Sequence, residues 1–298
     1  MKVIIDTDPG VDDFIAISLA LKSNKFDVLG LTTVEGNCSL ENATLNAFKA
    51  LDMVNRQDIE VYKGLRQDNM DNSHAIDVHG NNGLGGIEYT PINREANSEG
   101  AIDYLIRMVN TYPKQITILA LGPLTNIAEC VKKDKCFSKN VKSLLIMGGS
   151  ASKGNITPYA EFNFYNDPVS AEKVLQADFE NIIIFGWDVT NKMPLLNNYE
   201  EKLKKANGIL PKFIYDITRS MALHDRLEYG GAIISDPILV AYLIDNEVAK
   251  LKPIEINIIT TGEEMGRSIV SVVNESNIWM ATYADQQKFY SILLDNIV

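Results

Sequence analysis

The sequence predicts an α/β fold: a mostly parallel sheet with helices on both faces. Two observations predict it. Short apolar segments alternate with helix-like segments over the first two thirds of the 298-residue chain, and this alternation is typical of parallel sheets. The short segments are apolar throughout, which indicates strands buried on both faces. Because no linker, repeat or low-complexity segment marks a boundary, we expect one domain over residues 1–298.

The elements follow one another in a regular order. Strands are expected at residues 3–5, 26–34, 59–62, 115–121, 141–147 and 182–185. Helices are expected at residues 12–22, 41–54, 101–110, 123–133 and 168–176. The first strand and helix are separated by an Asp-Pro-Gly turn, and the second helix has Leu45, Phe48 and Leu51 on one side. Residues 64–100 are polar and read as a long loop, helices dominate residues 200–246, and residues 251–261 and 268–273 are expected to pair as a hairpin.

The composition excludes several classes of partner. With 28 Lys and Arg against 39 Asp and Glu, the net charge is −11, which argues against binding to nucleic acid phosphates. The same excess disfavours anionic small substrates unless a cation is bound. The apolar runs have the length of strands, so no membrane span is expected. The three cysteines have no metal-ligand spacing and no signal-like segment begins the chain, which favours a cytoplasmic protein.

Four carboxylates, those of Asp6, Asp8, Asp12 and Asp13, lie within eight residues at the turn after the first strand. Ligands of open parallel sheets bind beyond the carboxyl ends of the strands. Helix capping accounts for one or two acids there, but four acids held this close raise one another's pKa values. A divalent cation with oxygen ligands would relieve that repulsion. The cluster therefore predicts a metal or catalytic site.

A second polar cluster contains Glu161 and Asn163 and is preceded by Asn155. Amides and a carboxylate on a loop suit a hydroxyl-rich ligand. The same residues could instead satisfy the local backbone, with Asp167-Pro168 beginning a helix.

Two further positions have mainly structural interpretations. The segment Ser235-Asp236-Pro237 has the residue order of an ordinary helix start. His79 lies in a glycine-rich loop, where a lone histidine is more often solvated than catalytic.

Taken in order along the chain, these motifs resemble the signature of the inosine–uridine-type nucleoside hydrolases. The matching segments are Asp6-Thr7-Asp8-Pro9-Gly10-Val11-Asp12-Asp13, Thr32-Thr33-Val34-Glu35-Gly36-Asn37, His79-Gly80, Gly122-Pro123-Leu124-Thr125-Asn126-Ile127-Ala128, Met147-Gly148-Gly149, Ala160-Glu161-Phe162-Asn163, Asp188-Val189-Thr190 and Asp236-Pro237. They span nearly the whole chain. The resemblance implies a modified doubly wound (Rossmann-like) fold, a homodimer or homotetramer, and a tightly bound Ca²⁺ at the carboxyl rim of the sheet.

The resemblance also implies roles for particular residues. The Ca²⁺ ligands are expected to be Asp8, Asp13, Asp236 and the backbone carbonyl of Leu121. The substrate is expected to contact Asp12, Asn37, His79, Asn155, Glu161, Asn163 and Asp236. With Ca²⁺ bound, Asp8 is expected to act as general base toward water. Water then attacks the anomeric carbon as the glycosidic C–N bond breaks through an oxocarbenium-like state, giving free base and ribose.

The chain departs from the family pattern at one position. Many members carry a histidine directly before the late metal-binding aspartate, where it protonates the leaving purine, whereas this chain has Ser235. Serine is a poor acid near neutral pH. We therefore expect His224 to act as the leaving-group acid, with Tyr229 or Arg219 as alternatives. A leaving group that needs no strong acid is a further alternative, and purine or pyrimidine preference stays open.

Two other functions remain as alternatives. Asp6-x-Asp8 resembles the nucleophile and acid pair of haloacid-dehalogenase-like phosphatases, although Gly10 stands where that family has Thr or Val. The acidic composition also fits poorly with a phosphorylated substrate. A non-catalytic nucleoside-binding or ribose-binding homologue is the second alternative, because Ser235 replaces the usual acid.

Overall fold

The computed structural model describes residues 1–66, 75–90 and 93–298, apart from the side chains of residues 222 and 224. The strands are β1 (Lys2–Thr7), β2 (Asp27–Thr33), β3 (Val61–Lys63), β4 (Ile116–Ala120), β5 (Ser143–Met147), β6 (Ile182–Phe185), β7 (Pro194–Leu195), β8 (Ala232–Ile233), β9 (Ala249–Ile258), β10 (Ser268–Val272) and β11 (Ile278–Ala284). The helices are α1 (Val11–Lys22), α2 (Leu40–Met53), α3 (Ile76–His79), α4 (Ala101–Thr111), α5 (Thr125–Lys133), α6 (Phe137–Asn140), α7 (Phe162–Asn166), α8 (Pro168–Leu175), α9 (Trp187–Thr190), α10 (Asn197–Lys205), α11 (Ile209–Tyr229), α12 (Pro237–Ile244) and α13 (Gln286–Ile297). A 3₁₀ turn covers Asn246–Val248.

Nine strands form one sheet in the order β10-β9-β11-β6-β5-β4-β1-β2-β3. The seven strands from β11 to β3 in this order run parallel to one another, and β9 is antiparallel to both β10 and β11. The predicted α/β fold with a mostly parallel sheet is confirmed, as is the late hairpin, which is β9–β10. The sequence does not predict β11, because Thr282 and the exposed Tyr283 interrupt its apolar pattern.

Helices cover both faces of the sheet, and each face has its own apolar core. Successive strand residues point to opposite faces, so Ile5 and Leu119 pack in one core while Ile4 and Ile118 pack in the other. Helices α1, α2, α12 and α13 supply the first core, and α4, α5 and α8 supply the second. This double burial explains why the strands have no alternating pattern. No helix among the described residues has the length and apolar character needed to cross a membrane.

The strand order reverses direction at β1. Strands β2 and β3 lie on one side of it and β4, β5 and β6 on the other, so the chain leaves the carboxyl ends of β1 and β4 in opposite directions. The backbone N–H of Leu121, just after β4, donates to the carbonyl of Asp6 at 2.8 Å. Crevices at such a reversal are where doubly wound sheets bind ligands. The fold therefore brings the loops after β1, β2 and β4 to one place.

Candidate functional site

Four buried carboxylates meet at this reversal. Asp8 follows β1, Asp12 and Asp13 lie in the first turn of α1, and Asp236 precedes α12. Carboxylate oxygens of Asp12, Asp13 and Asp236 all lie within 4.8 Å of one another. The group contains Asp13 and Asp236, which are two of the three carboxylates that the family resemblance implies as metal ligands. Its third member is Asp12, which the resemblance implies as a substrate contact. Among the described residues, no lysine or arginine forms an ion pair with any of the four.

The side chain of Asp236 does not have the helix-capping role that its position before a helix predicts. It occupies the position before α12, yet its side chain makes no capping hydrogen bond with that helix. Its carboxylate instead belongs to the acidic group. The adjacent Ser235 N–H donates to Asp12 Oδ2 at 3.2 Å, which joins the start of α12 to α1.

Fixed donors orient the two carboxylates that lie deepest in the site. Asp13 accepts hydrogen bonds from the Thr7 hydroxyl (2.5 Å), the Gly10 N–H (3.0 Å) and the Asn37 side-chain amide (2.9 Å). Asp8 Oδ2 accepts from the Asn37 N–H at 2.7 Å. Asp8 Oδ1 is buried and has no hydrogen-bond partner in the part of the chain that the structure describes. Asn37 thus links both carboxylates to the loop after β2.

Burial and mutual repulsion disfavour ionisation of this cluster. Burial, followed by the charge of Asp13, raises the pKa of Asp8 well above its usual range and raises the pKa of Asp12 to about 7. Burial, followed by the charge of Asp12, also raises the pKa of Asp236. In the described part of the chain these buried carboxylates have no lysine or arginine partner and one of their oxygens has no hydrogen bond, which fits a hard divalent cation that prefers oxygen ligands.

Two motif glycines make room for the Asp8 carboxylate. A Cβ atom on either Gly36 or Gly122 would overlap that carboxylate. Gly10 has a similar function, because its Cβ would lie 2.7 Å from His79 Nδ1. Glycine at these positions follows from close approach of side chains to the backbone.

His79 is buried at the end of α3, so the interpretation of a solvated loop histidine is wrong. Its Nδ1 accepts a hydrogen bond from the Val11 N–H at 3.0 Å and lies 4.0 Å from Asp12 Oδ1. Burial lowers its pKa to about 4. The ring is therefore neutral near pH 7, and its proton resides on Nε2 because Nδ1 is the acceptor.

Glu161 and Asn163 organise the loop beyond β5. Glu161 precedes α7 and accepts hydrogen bonds from the N–H groups of Gly149 (2.8 Å), Asn163 (2.9 Å) and Phe164 (3.2 Å). Burial raises its pKa to about 7. The Asn163 side-chain amide donates to the carbonyl of Leu121 at 2.7 Å. The structural interpretation of this segment is therefore correct for its hydrogen bonds, and Asp167 caps α8 as that interpretation expects.

A cavity of about 310 Å³ opens above the acidic group. Its polar lining contains every residue predicted to contact the substrate: Asp12, Asn37, His79, Asn155, Glu161, Asn163 and Asp236. Its apolar and aromatic lining contains Phe162, Trp187, Met221, Tyr229 and Ile233. Trp187 and Tyr229 make an edge-to-face contact with ring centroids 5.8 Å apart. This size and mixed lining are typical of small-molecule sites.

The three residues considered as leaving-group acids differ in position. Tyr229 lines the cavity, together with Ser235. Arg219 is absent from the cavity lining, and its guanidinium lies 5.8 Å from the centroid of the Tyr215 ring. His224 belongs to α11, and its side chain lies outside the described residues.

Two buried asparagines behind the site, Asn126 and Asn46, have no role predicted from the sequence. The Asn126 amide donates to Asp6 Oδ1 at 2.8 Å and to the Thr33 carbonyl at 3.0 Å. The Asn46 amide donates to the carbonyls of Pro9 and Asn82 at 2.8 Å each. An asparagine among the apolar positions of an amphipathic helix is the sequence signal that marks such residues.

The family model for the inosine-uridine preferring nucleoside hydrolases matches residues 3–291. The chain belongs to this family. It is a nucleoside hydrolase, so the resemblance inferred from the motifs is confirmed, and neither the phosphatase nor the non-catalytic interpretation is supported.

Individual nucleoside hydrolases are similar to the chain over almost its whole length. It is 33 % identical over 288 residues to uridine nucleosidase 1 of Arabidopsis thaliana, covering 94 % of this chain and 85 % of that relative. A solved plant nucleoside hydrolase has a TM-score of 0.94 at 32 % identity, covering 99 % of this chain and 98 % of the other. A purine-preferring ribonucleoside hydrolase from Gardnerella vaginalis has a TM-score of 0.93 at 29 % identity, covering 100 % and 98 %.

Proposed function

We propose that this nucleoside hydrolase cleaves the N-glycosidic bond of ribonucleosides to free base and ribose in a Ca²⁺-dependent reaction. One observation supports this most strongly: a buried acidic cluster, without a lysine or arginine partner among the described residues, lies beneath a cavity of about 310 Å³. When bound there, the ion would neutralise the carboxylates and lower the pKa of a water molecule.

The ligands of the ion are proposed to be Asp8, Asp13, Asp236 and the Leu121 carbonyl. Asp13 and Asp236 belong to the group of carboxylates within 4.8 Å of one another, and Asp8 offers a buried oxygen without a partner. The Leu121 carbonyl accepts one hydrogen bond from Asn163 and keeps a second lone pair for an ion.

Asp8 is proposed to be the general base. Its Oδ1 is the oxygen proposed as a ligand of the ion, while its Oδ2 accepts the Asn37 N–H and keeps a second lone pair for a proton from water. Burial and the neighbouring Asp13 raise its pKa in the metal-free protein, whereas a bound ion would keep the carboxylate ionised and able to act as a base. The proton of the attacking water is therefore proposed to pass to Asp8 Oδ2.

The polar lining of the cavity is proposed to hold the ribose. Asp12, Asn37, Asn155, Glu161, Asn163 and Asp236 offer carboxylate and amide groups to its hydroxyls, and His79 offers the N–H of Nε2. As the C–N bond breaks, positive charge develops on the ribose. The carboxylates of Asp12 and Glu161 stabilise that charge in a site shielded from water.

The base is proposed to leave from the aromatic part of the cavity. Burial and the hydrogen bond to Glu228 raise the pKa of Tyr229 to about 12, so its hydroxyl keeps its proton near pH 7 and is proposed to turn from Glu228 to the departing base. His224 remains proposed as the acid. Among the similar proteins, one is named a uridine nucleosidase and another a purine-preferring hydrolase. Both base classes therefore belong in the assay.

The test is ribose release from inosine, adenosine, guanosine, uridine and cytidine, measured with Ca²⁺ and after complete chelation. We expect reducing sugar to form with at least one nucleoside and to disappear on chelation, with recovery when Ca²⁺ is restored. Full activity in the chelated protein would contradict the proposed role of the ion. Absence of ribose release from every nucleoside would contradict the proposed reaction.

The proposal also includes the oligomeric state and the cell compartment of the protein. A homodimer or homotetramer is proposed, to be tested by light scattering coupled to size-exclusion chromatography. A cytoplasmic location is supported by Cys38, Cys130 and Cys136, which are all free thiols.

A further inference from the structure

Asn46 lies on α2, fully buried, between two loops of the site. Its side-chain amide donates one hydrogen bond to the Pro9 carbonyl and one to the Asn82 carbonyl, both at 2.8 Å. Its Oδ1 accepts a hydrogen bond from the Tyr89 hydroxyl at 2.7 Å. Both amide hydrogens and the oxygen are therefore used, and the side chain has one orientation that satisfies all three partners.

The two carbonyls belong to segments that carry active-site groups. Pro9 directly follows Asp8, and two residues later the Val11 N–H donates to His79 Nδ1. Asn82 follows His79 by three residues, and its side-chain oxygen accepts from the N–H groups of Leu84 and Gly86 at 3.0 Å each. The second segment is thus a small hydrogen-bonded unit that begins at His79.

The second segment is shaped to approach Asn46 closely. Gly83 has a φ of +81°, and a Cβ atom there would lie 2.8 Å from Asn46 Nδ2. A side chain at residue 83 would push the loop away from α2. The bond from Asn46 to Asn82 therefore depends on a backbone that only glycine readily adopts.

We propose that Asn46 is a positioning residue, which holds the segment from His79 to Gly86 against the β1–α1 loop. It thereby keeps His79 on the Val11 N–H and beside Asp12. This inference rests on the proposed function, in which His79 contacts the substrate. Asn46 itself does not line the cavity, so its effect on the reaction passes through His79.

The test combines Asn46→Ala with His79→Ala in a double-mutant cycle. We expect Asn46→Ala alone to lower kcat/KM by about 100-fold, the scale of a misplaced catalytic group. In the His79→Ala background the same change should cost less than about 3-fold, because residues that act through one another are not additive. A general loss of packing would cost the same factor in both backgrounds, and that result would overturn the proposal.

Asn42→Ala is the matched control. The amide of the half-buried Asn42 donates to the neighbouring Asn81 carbonyl at 3.2 Å and, within the described residues, has no hydrogen bond to Pro9. Activity should change less than about 2-fold, within the range of ordinary surface substitutions.

Tyr89→Phe is the milder test should Asn46→Ala fail to fold. It removes only the hydrogen bond from the Tyr89 hydroxyl to Asn46 Oδ1. We expect kcat/KM to fall by about 5-fold, and the proposal requires that this loss disappear in the His79→Ala background.

Amide hydrogen exchange at Val11 supplies a readout that needs no activity. If Asn46 holds His79 in place, Asn46→Ala should raise exchange of the Val11 N–H by about 10-fold or more, and Asn42→Ala should leave it unchanged. Unchanged exchange in Asn46→Ala, or in Tyr89→Phe if that variant alone folds, would overturn the proposal. A wild-type protein that cleaves no nucleoside would refute the proposed function while exchange still decides the role of Asn46.

Discussion

Replacing Asp8 by asparagine removes the proposed general base and, at saturating Ca²⁺, keeps an oxygen for the hydrogen bond and for the ion. The amide has the shape of the carboxylate, so its oxygen can still accept the 2.7 Å hydrogen bond from the Asn37 N–H. It cannot accept a proton from water. A positioned general base contributes about 10²–10⁴ in rate, so we expect kcat to fall by about 10³-fold, which corresponds to about 4 kcal/mol of activation free energy.

The same substitution should leave the fold intact. Asp8 is buried beside Asp13, and both burial and that charge raise its pKa, so a neutral side chain removes an unfavourable interaction in the metal-free protein. At pH 8 we therefore expect chelated Asp8→Asn to unfold thermally at or above the wild-type temperature. Steady-state kinetics with the best nucleoside of the panel and thermal unfolding measure the two effects.

A matched surface variant controls for the loss of one negative charge. Asp27 lies at the exposed start of β2 and pairs with Lys2 at 3.0 Å, an interaction worth little in water. Asp27→Asn should keep wild-type kinetics. An Asp8→Asn enzyme with near-wild-type kcat would refute the assignment of Asp8 as base, and a large loss of thermal stability would refute the argument from repulsion.

Three further predictions test the surroundings of the cluster. Burial raises the pKa values of Asp12 and Glu161 from 3.8 and 4.5 to about 7, so the folded protein retains protons that the unfolded chain releases. The contribution of these two carboxyls to the stability of the chelated protein should therefore fall as pH rises from about 4 to about 7; a melting temperature that increases from pH 5.5 to 8 contradicts this. Gly122→Ala should lower kcat by at least about 10-fold, because the new Cβ overlaps the Asp8 carboxylate, whereas Gly100→Ala, whose Cβ meets only the Lys63 carbonyl at 3.9 Å, should be neutral. Tyr229→Phe should lower kcat/KM for nucleosides by about 10-fold and have little effect on p-nitrophenyl riboside, whose leaving group needs no donor; equal losses on both substrates would argue for a packing role.

Local pattern was enough to locate most elements. The first helix is expected at residues 12–22 and observed as Val11–Lys22, because capping and apolar periodicity are properties of neighbouring residues. The local pattern does not predict helix α3. Its four residues, Ile76–His79, lie in a polar, glycine-rich stretch and pack against α11. A helix that short depends on tertiary contacts for its stability.

The residues of the site likewise divide into those whose role the sequence indicates and those whose role it does not. The acidic turn after β1 and the glycines beside it are contiguous in sequence, so residue type and spacing alone indicated a cation site and, through the order of the motifs, the family. The sequence also marked Asp236, but by itself indicated only a helix start. Its carboxylate is free of that helix in the structure.

What only the tertiary structure decided is which distant groups meet. Ser235 and Asp12 are hydrogen-bonded across 223 residues, and Asn46 spans 37 residues to reach Pro9. These contacts follow from strand order and helix packing, which no local periodicity encodes. The sequence by itself therefore determined the chemical groups of the site and the family to which the chain belongs. The three-dimensional fold decided which of those groups became neighbours, since burial and hydrogen bonding act between positions in space.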